Sequence, residues 1–83
     1  MENIITFEEF EQKYLGEVLN KKPDNIRKGQ ALMNFLHDIW PEEYRRLSSI
    51  DYYDNKDIDC FYRDRLIPNT LKHLREVWKN YPN

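Results

Sequence analysis

Apolar residues mark the first element clearly. Phe7, Phe10, Tyr14 and Val18 recur at i, i+3, i+7 and i+11, with Leu15 beside them, the spacing of one helical face. Thr6-Phe7-Glu8-Glu9 has the form of a capping box, with Ile5 and Phe10 placed to make a hydrophobic staple across it. Gly16 weakens such a helix by about 1 kcal/mol relative to alanine. Asn20-Lys21-Lys22-Pro23 then ends it, so the spacing predicts a helix over 7–20.

A second helix is predicted from Asp24 or Asn25 to Ile39, because Pro41 disfavours helical geometry at Trp40. Ala31, Leu32, Phe35, Leu36 and Ile39 form an apolar arc, which Ile26, Gly29, Met33 and Trp40 widen. Arg27, Gln30, Asn34, His37 and Asp38 share the narrow polar remainder, so this helix is expected at the centre. Pro41 suits a first helical position, with Glu42 and Glu43 in the first turn and Arg45 and Arg46 in the last. A short helix over 41–48 follows, with Tyr44 and Leu47 inward and Glu42 paired to Arg46 at i, i+4.

Residues 49–66 mix turn chemistry with apolar side chains and are predicted as an ordered, aromatic-rich loop with one helical turn near Ile58–Tyr62. The alternative is a hairpin of Ile50–Tyr53 with Ile58–Tyr62, but two strands alone are marginal in water. Pro68 opens a last helix with Leu71, Leu74, Trp78 and Tyr81 as its stripe and Val77 beside it. The expected fold is all-α, one domain over 1–83: a small bundle of three main helices plus one short helix.

Composition narrows the class. Hydrophobic residues at 40% and charged residues at 34%, with two glycines, exclude collagen-like and disordered chains. At 83 residues the core is thin. No apolar run approaches a membrane span. One cysteine and an acidic amino terminus without secretory character point to a cytoplasmic protein. The net charge of −2 gives no general attraction to nucleic acid. Charge is nevertheless segregated: residues 1–20 carry −4 and residues 65–83 carry +3, so the two ends are suited to lie side by side.

Candidate chemistry is sparse. His37, Cys60 and His73 lack metal-ligand spacing. Asn55, Asp57 and Asp59 imitate the start of a calcium loop, but Cys60 replaces its glycine and Leu66 its glutamate. Cys60, flanked by Asp59, is expected as a core residue rather than a nucleophile. No catalytic, metal or cofactor site is predicted, and the chain is expected not to be an enzyme. Lys72, Arg75 and Lys79 form one basic stripe on the last helix, readable as phosphate contacts or as a solvated face balanced by Glu8 and Glu11. Arg27 and Lys28 open the central helix, where an anion could meet free backbone N–H groups or a salt bridge could form instead.

Arg27-Lys28-Gly29-Gln30-Ala31-Leu32-Met33-Asn34-Phe35-Leu36, Pro41-Glu42-Glu43-Tyr44 and Asp59-Cys60-Phe61-Tyr62-Arg63-Asp64 together give a pattern R-x-G-Q-A-x-x-N-x-L followed by D-x-F-Y-x-D. In this the chain resembles a family of short bacterial and phage-encoded proteins with no assigned activity. The resemblance implies a bacterial or prophage setting and brings no ligand with it.

Two functions fit. The first is a non-catalytic protein-interaction or regulatory module, which rests on small size and on twelve aromatics that a thin core would leave partly exposed. Its partner is an unspecified protein, with homodimerisation through leftover apolar surface an option. The alternative is a weak nucleic-acid or phosphate binder through Arg27, Lys28 and the Lys72/Arg75/Lys79 stripe. The polar stripe Arg27, Gln30, Asn34 and His37 is expected to dock the 49–66 segment, with carboxylates on Arg27. Otherwise Arg27, Gln30 and Asn34 would form an exposed groove.

Overall fold

The computed structural model describes residues 5–49 and 57–81. They form an all-α fold, and among them there is no strand. Helix α1 spans Phe7–Lys13, continues without a break through a π-helical turn at Tyr14–Val18, and ends as α2, Leu19–Lys21. Helices α3 (Lys28–Ile39) and α4 (Pro41–Ser48) follow, and a 3₁₀ turn at Asp64–Leu66 leads into α5 (Ile67–Val77), closed by a second 3₁₀ turn at Trp78–Asn80.

Where local chemistry sets a boundary, the expected boundary holds. Thr6 caps α1 through a complete capping box, its hydroxyl accepting from the Glu9 N–H at 3.1 Å while the Glu9 carboxylate accepts from the Thr6 N–H at 2.9 Å. Pro41 begins α4, and α4 covers 41–48 as the sequence predicts. Its ion pair is different: Arg46 reaches Glu43 at i, i+3 (2.8 Å), not Glu42.

Three expectations change. The first rod contains a π turn that the periodicity does not reveal, and Leu15, placed beside the buried stripe, is 52% exposed. At 100° per residue it falls roughly 80° from Phe7 and roughly 100° from Tyr14, beyond the width of the buried face. The central helix starts at Lys28, not Asp24 or Asn25. The Ile26 N–H closes a turn on the Pro23 carbonyl (3.1 Å), and Arg27 is extended. No helical turn forms at Ile58–Tyr62. The Asp59 carboxylate takes the Phe61 N–H, the Arg63 N–H reaches the Cys60 carbonyl, and the helical turn comes later, at Asp64–Leu66. Strand Ile50–Tyr53 of the alternative hairpin lies outside the described residues.

The core joins Phe7, Phe10 and Tyr14 to Leu32, Met33, Leu36 and Trp40 of α3 and its end, and to Leu74 and Trp78. Phe10 stacks on Phe35 with centroids 4.7 Å apart and meets Trp78 at 4.8 Å, while Trp40 meets Trp78 edge-on at 5.3 Å. The aromatics therefore form the core more than they decorate the surface. Among the described residues only Leu15 and Tyr62 are large, exposed hydrophobics. That removes most of the exposed-aromatic support for an interaction role, and another surface must supply it.

Candidate interaction surface

Three elements converge on the start of α3. Gly29 is its second helical residue, and Asp64, thirty-five positions on, accepts the Gly29 N–H on Oδ1 at 2.9 Å. The Cys60 thiol donates to the Gly29 carbonyl (3.4 Å), and the Tyr14 hydroxyl donates to the Lys28 carbonyl (2.7 Å). Arg27 offers no side-chain cap, so Asp64 provides from a distance what an N-cap residue normally provides locally. Burial pushes the Cys60 thiol up to about 11, and burial also raises the Tyr14 phenol above its ordinary value. Both groups stay protonated donors at neutral pH.

This arrangement places the predicted site residues. The helix N-terminus that Arg27 and Lys28 would offer to an anion is already occupied by the chain's own carboxylate. Arg27, Asn34 and His37 are exposed and Gln30 is half-buried, so the described part of the 49–66 segment does not dock on that stripe. It docks on the glycine face instead, because only Gly29 lets its backbone come close enough. Its other end is pinned to α5: the Thr70 hydroxyl donates to the Ile58 carbonyl at 2.6 Å, and the Asn69 amide reaches Asp57 O at 3.3 Å. His37 packs edge-on against Tyr44.

The basic stripe of α5 is not uniform. Arg75 pairs with Glu8 (3.4 Å) and Glu11 (3.7 Å) and lays its guanidinium 4.9 Å from the centre of the Phe7 ring. The opposite charges of the two chain ends do meet, through this residue. Lys72 and Lys79 are exposed. Among the described residues there is no cluster of three or more His, Cys, Asp or Glu side chains able to hold a metal, and no helix long and apolar enough to cross a membrane.

A groove of about 340 Å³ opens between the first rod and α3. Val18, Pro23, Ile26, Ala31 and Phe35 supply apolar lining. Glu17, Lys21 and Lys22 line it from the first rod, and Asn34 and Asp38 from α3. The two walls run antiparallel, since Phe10 lies on Phe35 while Tyr14, further along, reaches back to Lys28. Lys21 and Lys22 thus sit toward the turn at 23–27, with Glu17 one helical turn before Lys21, and Asp38 lies toward the far end of α3. Of the predicted stripe only Asn34 lines this groove. The rest of the lining escapes a sequence reading, because Val18, Ile26 and Phe35 have the same apolar character as fully buried neighbours.

A buried charge cluster was equally hidden in the sequence. Glu43, 1% exposed, accepts from Arg46 Nε at 2.8 Å and from His73 Nε2 at 2.9 Å, tying α4 to α5. No protein-family model, curated protein or solved structure matches this chain.

Proposed function

We propose that this protein is a small, non-catalytic interaction module whose working surface is the groove between the first rod and α3. The groove carries the reading: an apolar lining with charged edges is the anatomy of a protein-binding site, where apolar contact supplies affinity and polar edges supply orientation. The resemblance to short bacterial and phage-encoded proteins supports a bacterial or prophage setting for the module, and the single cysteine supports a reducing, cytoplasmic one. The phosphate-binding alternative has less support, because Asp64 fills the start of α3 and Arg75 is engaged by α1.

The test is a photo-crosslinking amino acid placed at Asn34, inside the groove, or at Lys79, outside it, in the full chain expressed in bacterial cells. A protein adduct at Asn34 that is absent at Lys79 and lost on Val18→Asp is expected. Equal adducts at both positions, or none, would overturn the reading. So would steeply salt-dependent binding to mixed-sequence DNA or RNA, the signature of phosphate contacts.

A further inference from the structure

More charges surround the groove than line it. Lys21 and Lys22 end the first rod, and across the turn at 23–27 Arg27 and Lys28, both exposed, open α3. Lys28 precedes the lining residues Ala31 and Phe35 by three and seven positions, so it lies on their side of the helix. Glu17 and Asp24 are the acids beside this turn, two against four cations. Among the described residues none of the four cations makes an ion pair, whereas Arg46, Arg63 and Arg75 do. Asp38 does not offset them. It lies ten residues beyond Lys28 on α3, about 15 Å along the axis, against a screening length of roughly 8 Å at physiological salt.

The apolar part of the groove is small. A volume of about 340 Å³ is at the lower end of what holds a drug-sized molecule, so it accepts a few side chains of a partner. Exposed ion pairs contribute little singly. A ligand that supplies apolar anchors and negative charge together gains from both.

We propose that the occupant of the groove is a short acidic segment of a partner protein. Its apolar side chains enter between Val18, Ile26 and Phe35, and the Asp and Glu residues flanking them lie over Lys21, Lys22, Arg27 and Lys28. The segment meets side chains, not the backbone at the start of α3, which Asp64 closes. Charge complementarity selects this occupant: a basic segment is repelled here, and a nucleic acid leaves Val18, Pro23 and Ile26 unmatched. This rests on the groove being the working surface and names the chemistry of its partner.

Random peptides displayed on phage and selected against the full chain supply the probes, and fluorescence anisotropy measures the affinity of those recovered. Peptides whose binding is lost on both Val18→Asp and Asn34→Trp are groove ligands. The second variant fills the groove from an exposed position and leaves the core intact. The expected groove ligands combine apolar residues with an excess of Asp and Glu. Lys21→Glu/Lys28→Glu should weaken them about tenfold while circular dichroism and the melting temperature stay at wild-type values. Replacing the acids of such a peptide by Lys should restore binding to that variant. Groove ligands that are neutral or basic, or acidic ones that the charge reversal leaves unchanged, overturn the inference and leave the groove reading standing. Mixed-sequence RNA that displaces the peptides overturns both, as does a selection in which no ligand is lost on the two groove variants.

Discussion

The Cys60 carbonyl oxygen lies so close to the Gly29 α-carbon that a Cβ at position 29 would overlap it. The Cys60 thiol returns a hydrogen bond to the Gly29 carbonyl, and Asp64 accepts the Gly29 N–H at 2.9 Å. One residue without a side chain thus receives a segment more than thirty positions away by all three of its backbone faces. The start of the central helix and the path of residues 57–66 are set by the same contact.

Gly29→Ala should therefore be costly. The obstructing atom belongs to the backbone, and the Asp64 carboxylate also stands 3.2 Å from the added carbon, so neither neighbour is the free end of a flexible chain. Overpacking of this kind costs roughly 1–3 kcal/mol, and the upper part of that range is expected. Urea denaturation measures it. A loss below about 0.5 kcal/mol, the range of ordinary surface changes, would show that the segment does not pack there.

The legible and illegible parts of the sequence divide along sequence distance. The start of α1 and both ends of α4 follow from residues within four positions of each boundary, namely Thr6 with Glu9, and Pro41 with the Glu and Arg residues after it. The start of α3 does not, because its cap is Asp64; Asp24 and Asn25, the residues that look like caps, instead occupy a turn. Of the predicted polar stripe, Arg27 stands before α3 in extended geometry, and Asn34 alone lines the groove, with Asp38 from the same polar side. Leu15 follows the apolar pattern of its helix and still faces outward, because a one-dimensional pattern does not fix how wide the buried face is.

The Glu43 cluster should behave as a unit. Its carboxylate is buried, and removing a partner from a buried charge pair typically costs about 3–5 kcal/mol. Glu43→Ala is expected within that range, and Glu43→Gln below it, since the amide oxygen still accepts a hydrogen bond. A double-mutant cycle with His73→Ala, followed by urea unfolding, should return a coupling of at least about 1 kcal/mol. Additive single losses would mean that the 2.9 Å contact contributes nothing.

Stability should fall in alkali. Cys60 and Tyr14 are both raised, so the folded state holds their protons where the unfolded chain has released them. The unfolded state then binds fewer protons, and stability declines with rising pH. For Cys60 the contribution is complete below about 9 and is lost as pH climbs toward about 11, with Tyr14 adding to the loss at higher pH. Thermal melts between pH 7 and 11 should show a falling midpoint that Cys60→Ser shifts. A midpoint that stays flat to pH 11 would contradict the burial of both groups.

The start of α3 is closed by the protein's own carboxylate, and this is why the groove, not the helix N-terminus, is the surface proposed to meet a partner. The most direct measurement follows the Gly29 amide by ¹H–¹⁵N NMR during a titration with inorganic phosphate at constant ionic strength, in the wild type and in Asp64→Ala. The wild-type Gly29 signal should not move saturably, and Asp64→Ala should shift it before any phosphate is added and speed its hydrogen exchange. Saturable movement of the wild-type Gly29 amide, together with those of Lys28 and Gln30, would contradict the account and make this helix end an anion site.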